Sequence, residues 1–220
     1  MDLRELLPLF PLGAVLYPGV LLPLHIFEQR YRDLVKALVE LPGGAPREFG
    51  VIAIRSGREV GAAGVAALYP VGCTAVLATV SPLPDGRFDI VCIGSRRFEL
   101  LGVEPAGTSY LTGSVRRLDD PDGHGATDLA ASVARDLERY RQLIGISGDE
   151  PDPTDPRQLS YQVASTLRLD LAERQALLQS PDNAARLRAE RALLRRELGL
   201  VRALGAVPAL GLSRAAYTLN

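Results

Sequence analysis

The chain has 220 residues with 25 basic and 26 acidic side chains, which gives a formal net charge of -1 at pH 7. This balance excludes an overall field that would attract nucleic acid or anionic lipid, so any such binding would have to be local. A hydrophobic fraction of 47% can build one large core or two small ones, and it excludes a disordered chain.

The predicted elements begin with short extended pieces separated by turns. Four prolines are spaced through this apolar opening, and each one fixes φ and removes a hydrogen-bond donor. These prolines are Pro8, Pro11, Pro18 and Pro23. We therefore expect neither a continuous helix nor a central strand in this segment.

The stretch from Tyr17 to Leu22 in the same segment is a candidate binding loop. It is apolar and irregular, which is typical of an exposed binding loop and equally of a loop buried under a barrel. Both interpretations stay open. Its candidate substrate-binding residues are Tyr17, Pro18, Leu21 and Leu22.

A helix is predicted directly after the proline-rich segment, and a Pro-Gly-Gly sequence at 42–44 ends it. Its apolar stripe consists of Phe27, Tyr31, Leu34, Val35 and Leu38. At its start, His25 and Glu28 lie one helical turn apart and could share a proton or supply two metal ligands. Because no third ligand is apparent, the favoured interpretation is that both side chains pin the proline-rich segment to the helix.

Short strands are predicted between this helix and residue 118. They cover residues 49–55, 73–80, 88–93, 98–103 and 110–118. Such a run of strands with one early helix predicts a closed or nearly closed small barrel. The hairpin around a Pro-Asp-Gly turn would place Cys92 opposite a residue near Thr79 or Val76, away from Cys73. We therefore expect two buried, unreactive cysteines and no disulfide.

The dipeptide Arg97-Phe98 is a second candidate for substrate binding. It could offer a guanidinium and an aromatic face to a peptide carboxylate or to a base. Alternation along a strand favours another arrangement, in which Phe98 points inward and Arg97 points outward.

The sequence changes character between residues 119 and 126, where several aspartates and His124 occur. Their spacing lacks the alternating oxygen ligands and the terminal acid of a calcium loop, so we expect a solvated linker. From there the apolar period is helical, which predicts a C-terminal helical bundle. The predicted domains are 1–118 for the barrel, 119–126 for the linker, 127–203 for the bundle and 204–220 for a tail.

Four helices are predicted in this bundle. The first follows only from the helical spacing of its apolar residues between 129 and 144. The other three have recognisable starts, since proline follows an N-cap residue or a capping box is present. These starts are Asp155-Pro156, Asp170 with Glu173, and Ser180-Pro181.

The last predicted helix carries a ridge of arginines on one side. The ridge consists of Arg188, Arg191, Arg195 and Arg202. It could hold RNA or an acidic partner. A solvated face with arginines suited to the helix C-terminus is the favoured interpretation, since arginine outnumbers lysine throughout the chain.

Several enzyme classes are excluded by what the sequence lacks. Lys36 is the only lysine, so a phosphate-cradling loop with a Gly-Lys pair is absent, and a Gly-x-Ser-x-Gly elbow is missing. With only His25 and His124 available, a catalytic triad has few candidate bases. We expect no enzymatic activity, no cofactor and no bound metal.

The proline-rich opening also carries a resemblance that continues along the chain. Its residues are Leu7-Pro8-Leu9-Phe10-Pro11-Leu12, Tyr17-Pro18-Gly19 and Phe27-Glu28-Gln29-Arg30-Tyr31, followed by Val71-Gly72-Cys73, Pro84-Asp85-Gly86-Arg87, Gly94, Arg96-Arg97-Phe98 and Tyr110-Leu111. Together they closely resemble the Lon substrate-binding domain, the N-terminal domain of ATP-dependent Lon proteases, over residues 5–200. The resemblance implies a barrel of the pseudouridine-synthase-and-archaeosine-transglycosylase (PUA-like) type, without the ATPase or the Ser-Lys protease site.

The chain is therefore predicted to be a stand-alone α+β recognition protein that binds unfolded or degron-bearing polypeptides by apolar contact. A protease or a chaperone is a further partner class. The first alternative is RNA binding by the barrel, which an aromatic content of 5% and the absence of tryptophan disfavour. The second is a self-associating assembly module.

A cytoplasmic location in a bacterium is expected. No apolar run reaches the roughly 18 residues of a membrane span, so no membrane partner is predicted. The first five residues lack the basic region and the cleavage site of a secretory signal.

Overall fold

Residues 4–55, 68–104, 107–148 and 150–204 are described by the computed structural model, with side chains up to residue 201. They form six strands and five helices, and the chain divides between Asp119 and Asp120 into two compact units. The elements in chain order are β1 (Glu5–Leu12), β2 (Leu21–Ile26), α1 (Gln29–Val39), β3 (Glu48–Ala53), β4 (Val71–Pro82), β5 (Phe88–Glu104), β6 (Leu111–Arg117), α2 (Ala126–Ile144), α3 (Pro156–Thr166), α4 (Leu171–Leu178) and α5 (Asn183–Leu204).

The first unit is built on one mixed six-stranded sheet with the order β2-β5-β4-β3-β1-β6. All neighbouring strands are antiparallel except β1 and β3, which are parallel. Strand β6 pairs with β5 as well as with β1. Five strands, in the order β5, β4, β3, β1 and β6, therefore pair in a circle that returns to β5. Strand β2 lies outside this circle and pairs with β5.

Strand β1 corrects the expectation that the proline-rich opening contains no central strand. Residues 9–12 pair with β3 and residues 5–9 pair with β6, so β1 has neighbours on both sides. Pro8 lies in the half that pairs only with β6, and Pro11 lies in the half that pairs only with β3. Each proline can therefore direct its missing N–H to the side without a partner, so no ladder hydrogen bond is lost.

Helix α1 covers the main core of the first unit. The residues that it buries are Tyr31, Leu34, Val35 and Leu38, as the sequence predicted. Phe10 of β1 stacks on Tyr31 with ring centroids 3.9 Å apart. The predicted stripe also includes Phe27, and this part of the prediction is wrong. Phe27 precedes the helix and is exposed, because the chain is still extended at Glu28.

Strand β5 joins two strands that the sequence predicted separately, over 88–93 and 98–103. It pairs with β4 along most of its length, with register shifts between Cys73 and Ala75 and between Leu77 and Thr79. These irregularities let a strand of 17 residues bend while its hydrogen bonds continue. Cys92 lies opposite Leu77, both cysteines are free, and both are buried.

The described part of the second unit contains four helices, and α5 contacts the other three. Asp155 caps α3 by accepting a hydrogen bond from the Gln158 N–H group. Asp170 and Glu173 form a complete capping box at α4. The fourth predicted start is shifted, since α5 begins at Asn183 with no helical turn at the preceding Ser-Pro pair.

Residues 121–124 are exposed, as a solvated linker would be, but the segment from residue 120 to residue 125 also makes hydrogen bonds with the second unit. Pro121 and Asp122 accept backbone hydrogen bonds from the first turn of α5. Asp120 accepts hydrogen bonds from Tyr161, and its carboxylate forms an ion pair with the fully buried Arg186 at 3.3 Å. This part of the segment is thus integrated into the second unit.

None of the described helices combines the length and the apolar character that a membrane span requires.

Candidate functional site

Three apolar side chains of the first unit form an exposed row across the sheet. Leu21 of β2 is directly opposite Ile93 of β5, and Ile93 is directly opposite Val76 of β4. Residues that face each other in antiparallel strands point to the same side of the sheet. The exposed fractions are 63% for Leu21, 41% for Ile93 and 38% for Val76. We call these three residues the apolar row.

A second row lies on the same side of the sheet, two residues further along β2 and β5. Val91 is opposite both Pro23 and Thr79. Pro23 and Thr79 are exposed, and Val91 is half-buried. A register shift between Leu77 and Thr79 brings Thr79 into this row. We call the apolar row together with Pro23 and Val91 the outer face.

Polar side chains border the outer face beyond the second row. His25 and Asp89 are opposite each other, and His25 Nδ1 lies 2.7 Å from Asp89 Oδ1. Arg87 Nη1 lies 3.1 Å from His25 Nε2, and Arg87 Nε donates to Asp85 Oδ2 at 2.6 Å. Because a guanidinium can only donate, His25 Nε2 is the acceptor and the Nδ1–H group donates to Asp89. This contact fastens β2 to β5.

The far end of the apolar row meets an ion-pair cluster. Glu48 of β3 is opposite Val76, and Arg117 of β6 pairs with both Glu48 at 2.5 Å and Glu5 at 2.8 Å. The hydrogen bond from Arg117 lowers the pKa of Glu5, and the hydrogen bonds to the two carboxylates raise the pKa of Arg117. The apolar row is thus bounded by charged groups.

A tight turn positions Leu21 at the start of β2. The Gly19 N–H group donates to the Gly94 carbonyl at 2.8 Å, and the Gly94 N–H group donates to the Val20 carbonyl at 2.9 Å. A Cβ atom on Gly94 would collide with the backbone of Tyr17, so glycine is needed for this close approach. The turn is therefore held against β5 by backbone contacts, which makes the position of Leu21 well defined.

The candidate loop from Tyr17 to Leu22 is neither wholly exposed nor wholly buried. Tyr17 is buried, and Pro18 is half-buried. Leu21 lies in the apolar row, whereas Leu22 packs against the core on the other side of β2. Part of the loop is thus exposed and part is buried, because side chains alternate between the two sides once β2 begins.

Arg97 lies on the side of the sheet opposite to Phe98, as the alternation predicted, but it is buried and not exposed. Its exposed fraction is 2%, and its Nη2 atom donates to the Asp119 carbonyl at 2.7 Å. Phe98 is buried in a second core cluster of the first unit, as expected. Arg97 and Phe98 pair in regular register with Cys73 and Gly72, which are also buried, so both sides of the sheet are covered at this point. Neither side chain is available at the surface in this structure.

The arginine ridge on α5 is only partly described. Arg188 and Arg195 are exposed. Arg191 is half-buried and lies 4.0 Å from Asp136 of α2. The side chain of Arg202 lies outside the described side chains.

Reactive groups are not gathered at the outer face. Burial raises the pKa of Cys92 to about 12, so its thiol stays protonated at neutral pH. Glu28 forms an ion pair with Arg30 at 2.8 Å and His25 contacts Asp89, so the two side chains have separate partners in the described structure. Among the described residues, no group of three or more His, Cys, Asp and Glu side chains could hold a metal ion.

Sequence reasoning identified Leu21 but missed Ile93 and Val76. Both residues lie in predicted strands. Ile90 and Cys92 are buried and two residues apart, so the next residue, Ile93, falls on the opposite side of the strand. An apolar residue at an outward-facing position of a strand was the signal in the sequence that could have indicated this exposed row. That these residues meet Leu21 depends on the pairing of three strands, which a single sequence does not specify.

Comparisons with known proteins relate residues 6–196 to one family model, which is described as the substrate-binding domain of the ATP-dependent protease La (LON). Lon protease 2 of Herpetosiphon aurantiacus is 29% identical over 207 residues, which cover 89% of this chain and 24% of that protein. Lon protease 2 of Syntrophobacter fumaroxidans is 29% identical over 196 residues, which cover 84% of this chain and 24% of that protein. The chain thus spans about a quarter of the length of these relatives.

Two solved structures have the same fold. The Lon N-terminal domain protein from Xanthomonas campestris superimposes with a TM-score of 0.61 at 24% identity, covering 86% of this chain and 98% of that one. The N-terminal domain of the Mycobacterium avium complex Lon protease gives 0.64 at 16% identity, covering 87% and 98%. With a family model that matches nearly the whole described chain, the protein belongs to the family of Lon substrate-binding domains.

Proposed function

We propose that the chain is a non-catalytic module that binds short segments of unfolded or degron-bearing polypeptides at its outer face. The observation that carries this proposal is the apolar row, in which Leu21, Ile93 and Val76 adjoin one another and are all exposed. Contiguous exposed apolar residues with a polar border are typical of interaction sites. The family relationship to substrate-binding domains supports a polypeptide as the ligand.

The size of the outer face favours a short segment as the ligand. Three neighbouring strands place the row over about 10 Å, and the second row lies about 7 Å further along the strands. A folded protein partner would need about 800 Å² on each side for a stable complex. A few apolar side chains of an extended segment would cover the outer face, with weak binding for each site.

The same proposal includes the context of the module. We assign it a protease or a chaperone as its partner and the cytoplasm as its location, which the protease relatives support. Catalysis is not part of the proposed role, and the only lysine lies exposed on α1. We expect that the purified chain neither hydrolyses ATP nor cleaves unfolded casein.

We also propose a specific architecture for each of the two units. The circular order of strand pairings supports a PUA-like barrel in the first unit. The contacts of α5 with α2, α3 and α4 support a helical bundle in the second. The boundaries 1–118, 119–126, 127–203 and 204–220 stay a prediction, and 205–220 lies outside the described residues.

The test of the proposed function is a substitution in the middle of the apolar row. Ile93→Asp should weaken binding of reduced, carboxymethylated α-lactalbumin, a permanently unfolded protein, by at least fivefold, since a central contact residue contributes about 1–2 kcal/mol. Binding is measured by titration with a fluorescently labelled sample.

Leu101→Asp is the matched control, because Leu101 is an equally exposed apolar residue of the same strand and lies outside the outer face. Equal loss of binding in both variants, or no binding by the unaltered chain, would refute the proposed function.

A further inference from the structure

Strand β2 presents a backbone edge without a neighbour among the described strands, because it ends the sheet order and pairs only with β5. Antiparallel strands alternate between residues whose backbone groups bond to the neighbour and residues whose groups point away. Pro23 has no N–H group and therefore belongs to the second kind. Leu21 and His25 are each two residues from Pro23 along the strand, so their N–H and carbonyl groups also point away from β5.

A hydrogen bond at the start of the strand supports this assignment. The Gly94 N–H group donates to the Val20 carbonyl, so Val20 and Gly94 form a hydrogen-bonded pair. Every second pair along the strand from there is also hydrogen-bonded. Leu22 with Cys92 and Leu24 with Ile90 follow in that series. The outer edge of β2 thus offers two N–H groups, of Leu21 and His25, and three carbonyls, and neither N–H group makes a hydrogen bond within the described part of the chain.

These edge groups recur at every second residue, about 6.8 Å apart. The backbone of another extended polypeptide has donors and acceptors with this spacing, whereas side chains and small molecules do not repeat in this way. We infer that an extended polypeptide segment adds to the outer edge of β2 as a further strand, beside the apolar row. The inference rests on the proposed function and specifies how the segment is held.

The edge is organised before any ligand arrives. The turn at Gly19 and Gly94 holds one end of β2, and the contact between His25 and Asp89 holds the other. A segment that pairs with this edge would bring its alternate side chains beside Leu21. Backbone hydrogen bonds would supply affinity for any sequence, and the apolar row would favour apolar side chains.

Pro23 favours a foreign strand over a second copy of this chain. Two copies paired symmetrically through Leu21, Pro23 and His25 would place Pro23 opposite Pro23, and both hydrogen bonds of that pair would be lost. A foreign strand would lose only one hydrogen bond at this position. Proline at an edge commonly protects a sheet from self-association in this way.

Amide hydrogen exchange of the full chain tests the inference, with reduced, carboxymethylated α-lactalbumin as the probe. On binding, the amides of Leu21 and His25 should exchange at least tenfold more slowly, because they become bonded. The amides of Leu22 and Leu24, which already bond to β5, should change little. Unaltered exchange at Leu21 and His25 in a complex that forms would overturn the added strand and leave the proposed function intact. Failure of the probe to bind would overturn both.

A substitution at Pro23 supplies an independent test. Pro23→Val restores an N–H group at the centre of the edge and should tighten binding of the probe about threefold to tenfold, as expected for one backbone hydrogen bond. Pro42→Val, at an exposed proline after α1, should leave binding unchanged. A Pro23→Val variant that dimerises in sedimentation experiments without binding the probe more tightly would overturn the inference in favour of a second copy.

Discussion

Leu21 and Leu22 are adjacent in the sequence and lie on opposite sides of β2. Leu21 is 63% exposed in the apolar row, whereas Leu22 packs against the core of the first unit. The two residues have the same chemistry, so the difference between them comes only from the direction of the side chain. A charge introduced at each position therefore separates a binding role from a structural one.

We predict that Leu21→Asp weakens binding of unfolded α-lactalbumin at least a few-fold and changes the free energy of unfolding by about 0.5 kcal/mol or less. Leu22→Asp should instead destabilise the fold by about 2 kcal/mol or more, since it buries a carboxylate without a partner. Urea unfolding and titration of both variants provide the measurements. Comparable destabilisation by the two substitutions would mean that Leu21 belongs to the core.

Helix α5 carries two fully buried charged residues one turn apart, Arg186 and Glu190. Arg186 is well satisfied by Asp120, Ser160 and Asn183. The two carboxyl oxygens of Glu190 make no hydrogen bond in the described structure. Burial raises the pKa of Glu190 well above its usual value, and the nearby charge of Arg186 offsets this only in part. Burial in the second unit therefore favours the neutral form of Glu190 over its charged form.

This state of Glu190 gives a pH dependence with a definite sign. Because the folded chain holds the proton more tightly than the unfolded chain, the stabilisation is fully present below the ordinary pKa of 4.5 and is lost as the pH rises through the folded pKa. We predict that Glu190→Gln is more stable than the unaltered chain at pH 8 and that this advantage shrinks toward pH 4. Urea unfolding of both chains across this range measures the difference. An advantage that is constant with pH would show that Glu190 does not titrate in this way.

The whole molecule has nearly balanced charge, so the type of ligand can be recognised from the effect of salt. Apolar binding of a polypeptide should change less than about twofold between about 50 and 200 mM salt. RNA binding would weaken by a large factor over the same range, because each phosphate contact releases counterions.

Titrations with unfolded α-lactalbumin and with single-stranded RNA at both salt concentrations make this comparison, and we predict measurable binding only for the protein. The variant Arg188→Glu, Arg195→Glu removes two exposed charges of the arginine ridge and should bind the protein normally. Tight, salt-sensitive RNA binding that this variant loses would replace the proposed function with the RNA alternative. Concentration-dependent sedimentation of the unaltered chain would favour the assembly module.

The local elements of this protein follow from its sequence because they depend on neighbouring residues. The capping residues Asp155 and Asp170 start helices where they were expected, and the apolar spacing of α1 and α2 agrees with their buried sides. The family relationship also follows from the sequence, through the proline-rich opening, and the family model confirms it.

Only the tertiary structure decides which residues form the outer face and which charges are buried. Leu21, Ile93 and Val76 come from three strands, and a shift of one residue in either pairing would turn an apolar side chain to the opposite side of the sheet. Arg97 is buried because the chain at Asp119 contacts its guanidinium on the side of the sheet opposite to Phe98. Pro8 and Pro11 fit a central strand because two neighbours share its length. Register, bulges and the choice of neighbouring strands are contacts between distant residues, so local sequence patterns do not determine them.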